Sequence, residues 1–192
     1  MSGHGFHVHG PHDHELEHAA QHGSKDSFSG QIAVMTAILA TIGALFSYMG
    51  GLTQANAGLF KNNAAIKKTA ASDQWNYYQA KSGKQNLSEL ALVIVPDEKK
   101  PAYKDEIDRY KKEKGEIKLA AEKLEAESLD WDKQSDEQLH LHHRWAQATT
   151  ALQISIALAA IALLTRRKWL EYGMFGVAGL GVVLGGLAMA HI

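Results

Sequence analysis

Seven of the eleven histidines of this chain fall within its first 22 residues, at His4, His7, His9, His12, His14, His18 and His22. Neutral imidazole is the commonest nitrogen ligand for borderline metals, so a glycine-containing segment of this density can wrap zinc, nickel or copper. Such a composition does not choose among the three, and the bland alternative is a solvated polar tail. His14, His18 and His22 stand four apart and would share one face if the segment were helical. The same stretch reads His14-Glu15-Leu16-Glu17-His18, the spacing at which two histidines of one helical turn hold zinc while a glutamate activates its water. Proteolysis is nevertheless not expected. Eleven residues after His18 the apolar part of the chain begins, no further ligand follows at protease spacing, and no strand pattern could hold a substrate. A second group, His140, His142 and His143, stands beside Trp145 at the edge of an apolar segment, where amphipathic anchoring is the expected role.

Other chemistry is scarce. Zero cysteines exclude disulfides, thiolate metal sites and cysteine nucleophiles. A formal net charge of -1 and a pI near 6.8 give no case for nucleic-acid binding. No nucleophile with a base, no phosphate-binding glycine loop and no paired catalytic acids can be identified, so an enzyme is not expected.

The elements that would have to position these residues follow from where the charges are. A mean hydropathy of -0.24 describes an ordinary soluble domain, but that average hides two extremes. Apolar residues concentrate in residues 30–52 and 146–191, while the 93 residues from Thr53 to Trp145 carry 16 of the 20 Lys and Arg and 16 of the 21 Asp and Glu. The pattern predicts an all-α integral membrane protein with three transmembrane helices and a long extramembrane antiparallel helical hairpin, coiled-coil-like in its spacing. Its parts are a His-rich tail (1–29), a first span (30–52), the hairpin (53–145, tip at 96–101), a second span (146–165), a basic turn (166–169) and a third span (170–191). From Ile32 to Leu52 there are 21 uncharged residues, enough at 1.5 Å per residue to cross a hydrocarbon core of roughly 30 Å. A cleaved signal peptide is not expected, because the stretch exceeds the usual apolar run of about 7–15 residues and four acids precede it. Arg166, Arg167 and Lys168 leave room for nothing but a tight turn between the last two spans.

Within the charged region, apolar or small residues recur at Leu59, Ile66, Ala70, Tyr77, Ala80, Leu87, Ala91 and Ile94, and again at Tyr103, Ile107, Tyr110, Ile117, Ala121, Leu124, Ser128, Trp131 and Gln138. Both series have heptad-like spacing. Pro96 and Pro101 bracket a polar tip, where prolines end one helix and open the next. The arms contain 43 and 44 residues, so each would run about 65 Å and return to the same membrane surface. Leu119, Leu129, Leu139 and Leu141 fall off the expected seam.

Three crossings place the tail and the basic turn on one face and the hairpin on the other. The dense turn prefers the cytoplasm, which predicts a cytoplasmic tail and a hairpin on the opposite face, periplasmic in a Gram-negative bacterium. Close-approach pairs such as Gly181-x-x-x-Gly185, Ala33-x-x-x-Ala37 and Ala40-x-x-x-Ala44 predict a homo-oligomer embedded in membrane lipid. No span has a charge in its interior, which argues against a pump or secondary transporter.

The uncharged run opening Gln31-Ile32-Ala33-Val34, the segment Asp73-Gln74-Trp75-Asn76-Tyr77-Tyr78-Gln79-Ala80-Lys81 and the closing basic turn together resemble a small bacterial membrane-protein family known only as a domain of unknown function. The resemblance covers about residues 25–190. It implies one amino-terminal span, a Lys/Glu-rich helical region and two closing spans, and brings no activity or site residues. With the resemblance, the functional expectation is an oligomeric bacterial inner-membrane protein whose hairpin is an interaction or scaffolding element for a partner that the sequence does not identify. The alternatives are a zinc, nickel or copper accessory protein acting through the tail, and an oligomeric channel whose polar mouth would hold Gln147, Thr150 and Gln153.

Overall fold

The structure, a computed structural model, describes residues 27–190. Three long helices account for nearly all of them: α1 (Ser27–Ile94, 68 residues), α2 (Lys100–Thr165, 66 residues) and α3 (Lys168–Met189, 22 residues). A single 3-10 turn, Asp97–Lys99, joins α1 to α2. Among the described residues there is no strand. All three helices contain a stretch long and apolar enough to cross a membrane, by length and composition.

The breaks sit where backbone chemistry demands them. Val95 makes the last bond of α1, to the Ala91 carbonyl at 3.0 Å. Pro96 then has no N–H to donate and disfavours helical geometry in the residue before it. Pro101 lies in the first turn of α2, where a missing N–H costs nothing because the first four have no intrahelical acceptor. At the other end, Arg166 adopts a left-handed conformation (φ 50°) and Arg167 an extended one, which reverses the chain into α3 within two residues. By contrast, no break falls at 52/53 or 145/146. The composition changes there and the helix does not, so each apolar segment and its charged arm are one continuous helix.

Along their length α1 and α2 pair antiparallel. Lys61 meets Asp132, Lys67 meets Glu127, Lys81 meets Glu113 and Ser88 meets Glu106, so partners in α2 fall in number as those in α1 rise. α3 folds back on α2. Ile32, Ala159, Ala162, Leu170 and Met174 form one buried cluster among the apolar segments, and Leu39, Leu152 and Ala178 form a second. Trp145 is buried against Phe46, with ring centroids 5.2 Å apart.

One expectation about packing needs correction. In α2 the expected seam is the observed one, with Ile107, Tyr110, Ile117, Ala121 and Ser128 buried. In α1 the seam lies one position away from the expected one. Ala57, Ala64 and Ala71 are buried, whereas Leu59, Ile66, Tyr77, Leu87 and Ile94 are each at least half exposed. The cause is size. Two helices approach closely only through small side chains, and the larger apolar residues are displaced to the outside. A second reassignment concerns Gly181 and Gly185, expected to serve contacts between copies. A Cβ on Gly181 would sit 3.0 Å from the Leu152 side chain, and one on Gly185 would clash with the Phe46 ring, so both glycines are occupied by packing within the chain.

Candidate functional site

α1 and α2 are joined by a ladder with a period of seven on both helices. Ser128 Oγ donates to the Ala64 carbonyl at 2.9 Å, and Ser135 Oγ donates to the Ala57 carbonyl at 2.8 Å. His142 Nδ1 lies 2.8 Å from the Gly50 carbonyl. A carbonyl can only accept, so Nδ1 carries the proton in that contact. Ala121, fully buried, and Ala71 continue the same spacing without a polar rung. Each rung needs a residue without bulk in α1. A Cβ on Gly50, for example, would lie 3.3 Å from the Trp145 Cβ. The serines satisfy their own buried hydroxyls by the same contacts that fix the register.

Higher along the pair the seam becomes charged and aromatic. Lys81 Nζ lies 2.5 Å from Glu113 Oε2 with its side chain only 14% exposed, and it stands over the Tyr77 and Tyr110 rings at 5.2 and 5.6 Å. Lys114 stands over Tyr78, and Arg109 reaches both Glu106 and Glu113. Nearer the apolar segments the cross-helix pairs are Lys67–Glu127 at 2.6 Å, Lys61–Asp132 at 2.5 Å and Lys68–Glu125 at 3.3 Å. Exposed pairs of this kind add little stability individually. Their geometry matters more, because each pairs a lysine of α1 with an acid of α2 and rejects a slipped register.

These contacts give the helix pair a defined pH response. Lys81 holds the Glu113 carboxyl below its ordinary 4.5, and Lys67 does the same for Glu127. A carboxyl lowered in the folded state contributes stability that is complete above 4.5 and lost as pH falls through the folded value. Lys81, beside Glu113 and then Tyr77, and Lys61, beside Asp132, are raised above 10.5. Their contribution is complete below 10.5 and lost only in stronger alkali. Thermal stability of the α1–α2 pair should therefore be insensitive to these groups between about pH 5 and 10 and fall in acid. A Glu113→Gln, Glu127→Gln double variant should show a shallower acid limb in Tm against pH. Identical slopes would refute the assignment.

The seven histidines of the tail, His4 to His22, lie outside the described residues, as does His191. Of the second histidine group, His142 is half-buried on the ladder, while His140 and His143 are exposed. His142 and His143 stand with ring centroids 5.8 Å apart. Among the described residues no three His, Asp or Glu side chains come together as a metal-binding group. The buried hydroxyls are likewise committed. Thr53 donates to Gly50, Ser155 to the Met174 carbonyl, and Ser88 to Glu106 at 3.0 Å. These contacts join the helices to one another. Two open grooves flank them, one at the tip lined by Tyr103, Glu106 and Arg109, the other midway between Lys61, Lys68, Glu125 and Asp132.

Sequence reasoning missed Ser135, Gly50, Ala57 and Ala64 as the determining residues. The signal was present as the sevenfold series Gly43, Gly50, Ala57, Ala64 and Ala71, obscured by the larger residues beside it.

A family model described as a domain of unknown function, DUF4337, matches residues 28–191. No curated protein matches the chain, and no solved structure does.

Proposed function

We propose, for a chain that belongs to the DUF4337 family, that it is a bacterial inner-membrane protein whose paired helices form a rigid rod standing on the bilayer. The rod serves as an interaction or scaffolding element held at a set distance from the membrane. One observation carries this reading: α1 and α2 pass from apolar segment to charged arm without a break and stay coupled by a ladder that runs up to the change in composition at Gly50 and His142. A flexible tether would need a loop at residues 52–53 or 145–146, and both positions are helical. With its three apolar segments in the bilayer, the charged part of the pair projects about 65 Å, and displacement of the tip transmits to the spans as motion of one body. Tip and basic turn then lie on opposite sides of the membrane, the turn in the cytoplasm and the tip in the periplasm.

The absence of cysteine makes the test clean. Single cysteines are placed at Asp97 and at Lys168 and treated with a membrane-impermeant maleimide on intact spheroplasts. Labelling at Asp97 alone is expected, with Lys168 reacting after permeabilisation. Labelling of both from the outside would overturn the three-span reading, and labelling of Lys168 alone would reverse the compartment of the rod.

A further inference from the structure

The two long helices differ in what they turn outward. On α1, three rows in steps of seven run from Ala44 to Val93, Leu45 to Ile94 and Tyr48 to Leu90. Their eight, eight and seven residues are all exposed, and Asp73 alone is charged. On α2, the corresponding rows from Asp108, Arg109 and Lys112 to His143, Arg144 and His140 hold eleven charged residues among seventeen. Beyond the apolar segment, the same solvent therefore bathes a charged face on one helix and a nearly uncharged face on the other. The lysines of α1 do not relieve this. Lys61, Lys67, Lys68 and Lys81 engage acids of α2, and Lys84 and Glu89 stand outside the three rows. The outer rows also keep a strict sevenfold spacing. An unsupercoiled helix drifts about 20° per seven residues, so a row held through seven repeats stays at a fixed angle to α2 only if it follows a shared supercoil.

We infer that this outer face of α1 is the surface through which two copies of the chain pair, α1 against α1 and parallel. The inference rests on the membrane reading above. Its occupant is set by continuity: the face runs unbroken from the apolar segment, where Leu45 and Leu52 are exposed, to Ile94 at the far end. Lipid cannot follow it up the rod, and a soluble protein cannot follow it into the bilayer. A second copy, inserted the same way, offers an identical face at the same depth, related by a two-fold axis along the membrane normal. Beyond the apolar segment, Leu59, Ile66, Leu87, Leu90, Val93 and Ile94 each expose half or more of their surface. At about 100 Å² apiece they offer roughly 600 Å² per copy, and the small residues between them bring this close to the ~800 Å² a side of a stable interface. Asp73 would face its own counterpart, which weakens the pairing and gives the proposal a signature of definite sign.

The test uses the full chain in native membranes. Cysteines at Ile66 or Leu87, both exposed, should form same-residue disulfide dimers on mild oxidation, in severalfold higher yield than cysteines at Glu122 or Asp130 on α2. Leu87→Glu should reduce the cross-link at position 66, and Asp73→Asn should raise it. Equal yields from the two helices would overturn the pairing, as would cross-linking of Ile66 into a mixed adduct with another protein. If cross-linking fails while Asp97 and Lys168 still label from opposite sides, the pairing falls and the rod remains. If they label from one side, both fall.

Discussion

Replacing Ala64 by leucine is expected to force α1 and α2 apart and to lower the Tm of the purified chain by roughly 10 °C, while the same change at Ala65, the next residue, leaves the helix pair intact. Ala64 is 5% exposed and its carbonyl accepts from Ser128, whereas Ala65 lies on the outer face. Three added carbons at a closed seam cost about 1–3 kcal/mol of overpacking. As the helices separate, Ser128 Oγ loses its acceptor without reaching water, which adds about 1–3 kcal/mol. The neighbouring rung, Ser135 on Ala57, strains with it. The mechanism has a second signature in a double-mutant cycle: Ser128→Ala alone should cost about 1 kcal/mol, but nothing in the Ala64→Leu background, where the hydroxyl is already stranded. Circular dichroism melts in detergent read both effects. Equal losses for Ala64→Leu and Ala65→Leu would mean that the ladder does not hold the pair together.

That contrast between adjacent alanines also explains what could be read from the sequence. The division into apolar and charged segments was legible because the charges cluster between two long uncharged runs, and the tip because Pro96 and Pro101 leave the helix no alternative. The seam of α2 was legible because it uses large apolar residues, Ile107, Tyr110 and Ile117, which stand out from the lysines and glutamates around them. The seam of α1 was not. It is built from Gly50, Ala57, Ala64 and Ala71, while Leu59, Ile66 and Leu87 repeat with the same period one or two positions away. A reading weighted by hydrophobicity chooses the larger series, and the physics of close helix approach chooses the smaller. The rungs were hidden for a related reason, since Ser135 is polar and nothing local shows that its hydroxyl meets a carbonyl 78 residues away. The continuity of apolar segment and charged arm was equally invisible, because composition registers the change of residue type and not the unbroken backbone.

Continuity itself is put to the test by proline at Leu139, with an expected loss of more than ~3 kcal/mol. Leu139 is 42% exposed and lies four residues after Ser135 and three before His142, so its side chain is expendable while its backbone stands between two rungs. Proline there removes the N–H that would bond the Ser135 carbonyl and drives its ring against that same carbonyl, which kinks a helix by more than about 20°. α1 has no matching break at this level, so the two helices cannot bend together. Either the Ser135–Ala57 and His142–Gly50 rungs open, or α1 is strained to follow. A kink of that size at the base of a rod about 65 Å long displaces the tip by over 20 Å. Spin labels at Asp97 and Lys168 should therefore show a shorter and much broader distance distribution in Leu139→Pro, while Leu139→Ala matches the parent chain. An unchanged distribution would show that the arm already moves independently of the span, and the role of the ladder would then be confined to register. A broadened one would place the mechanical coupling at the rungs beside the change in composition, where the sequence changes character and the backbone does not.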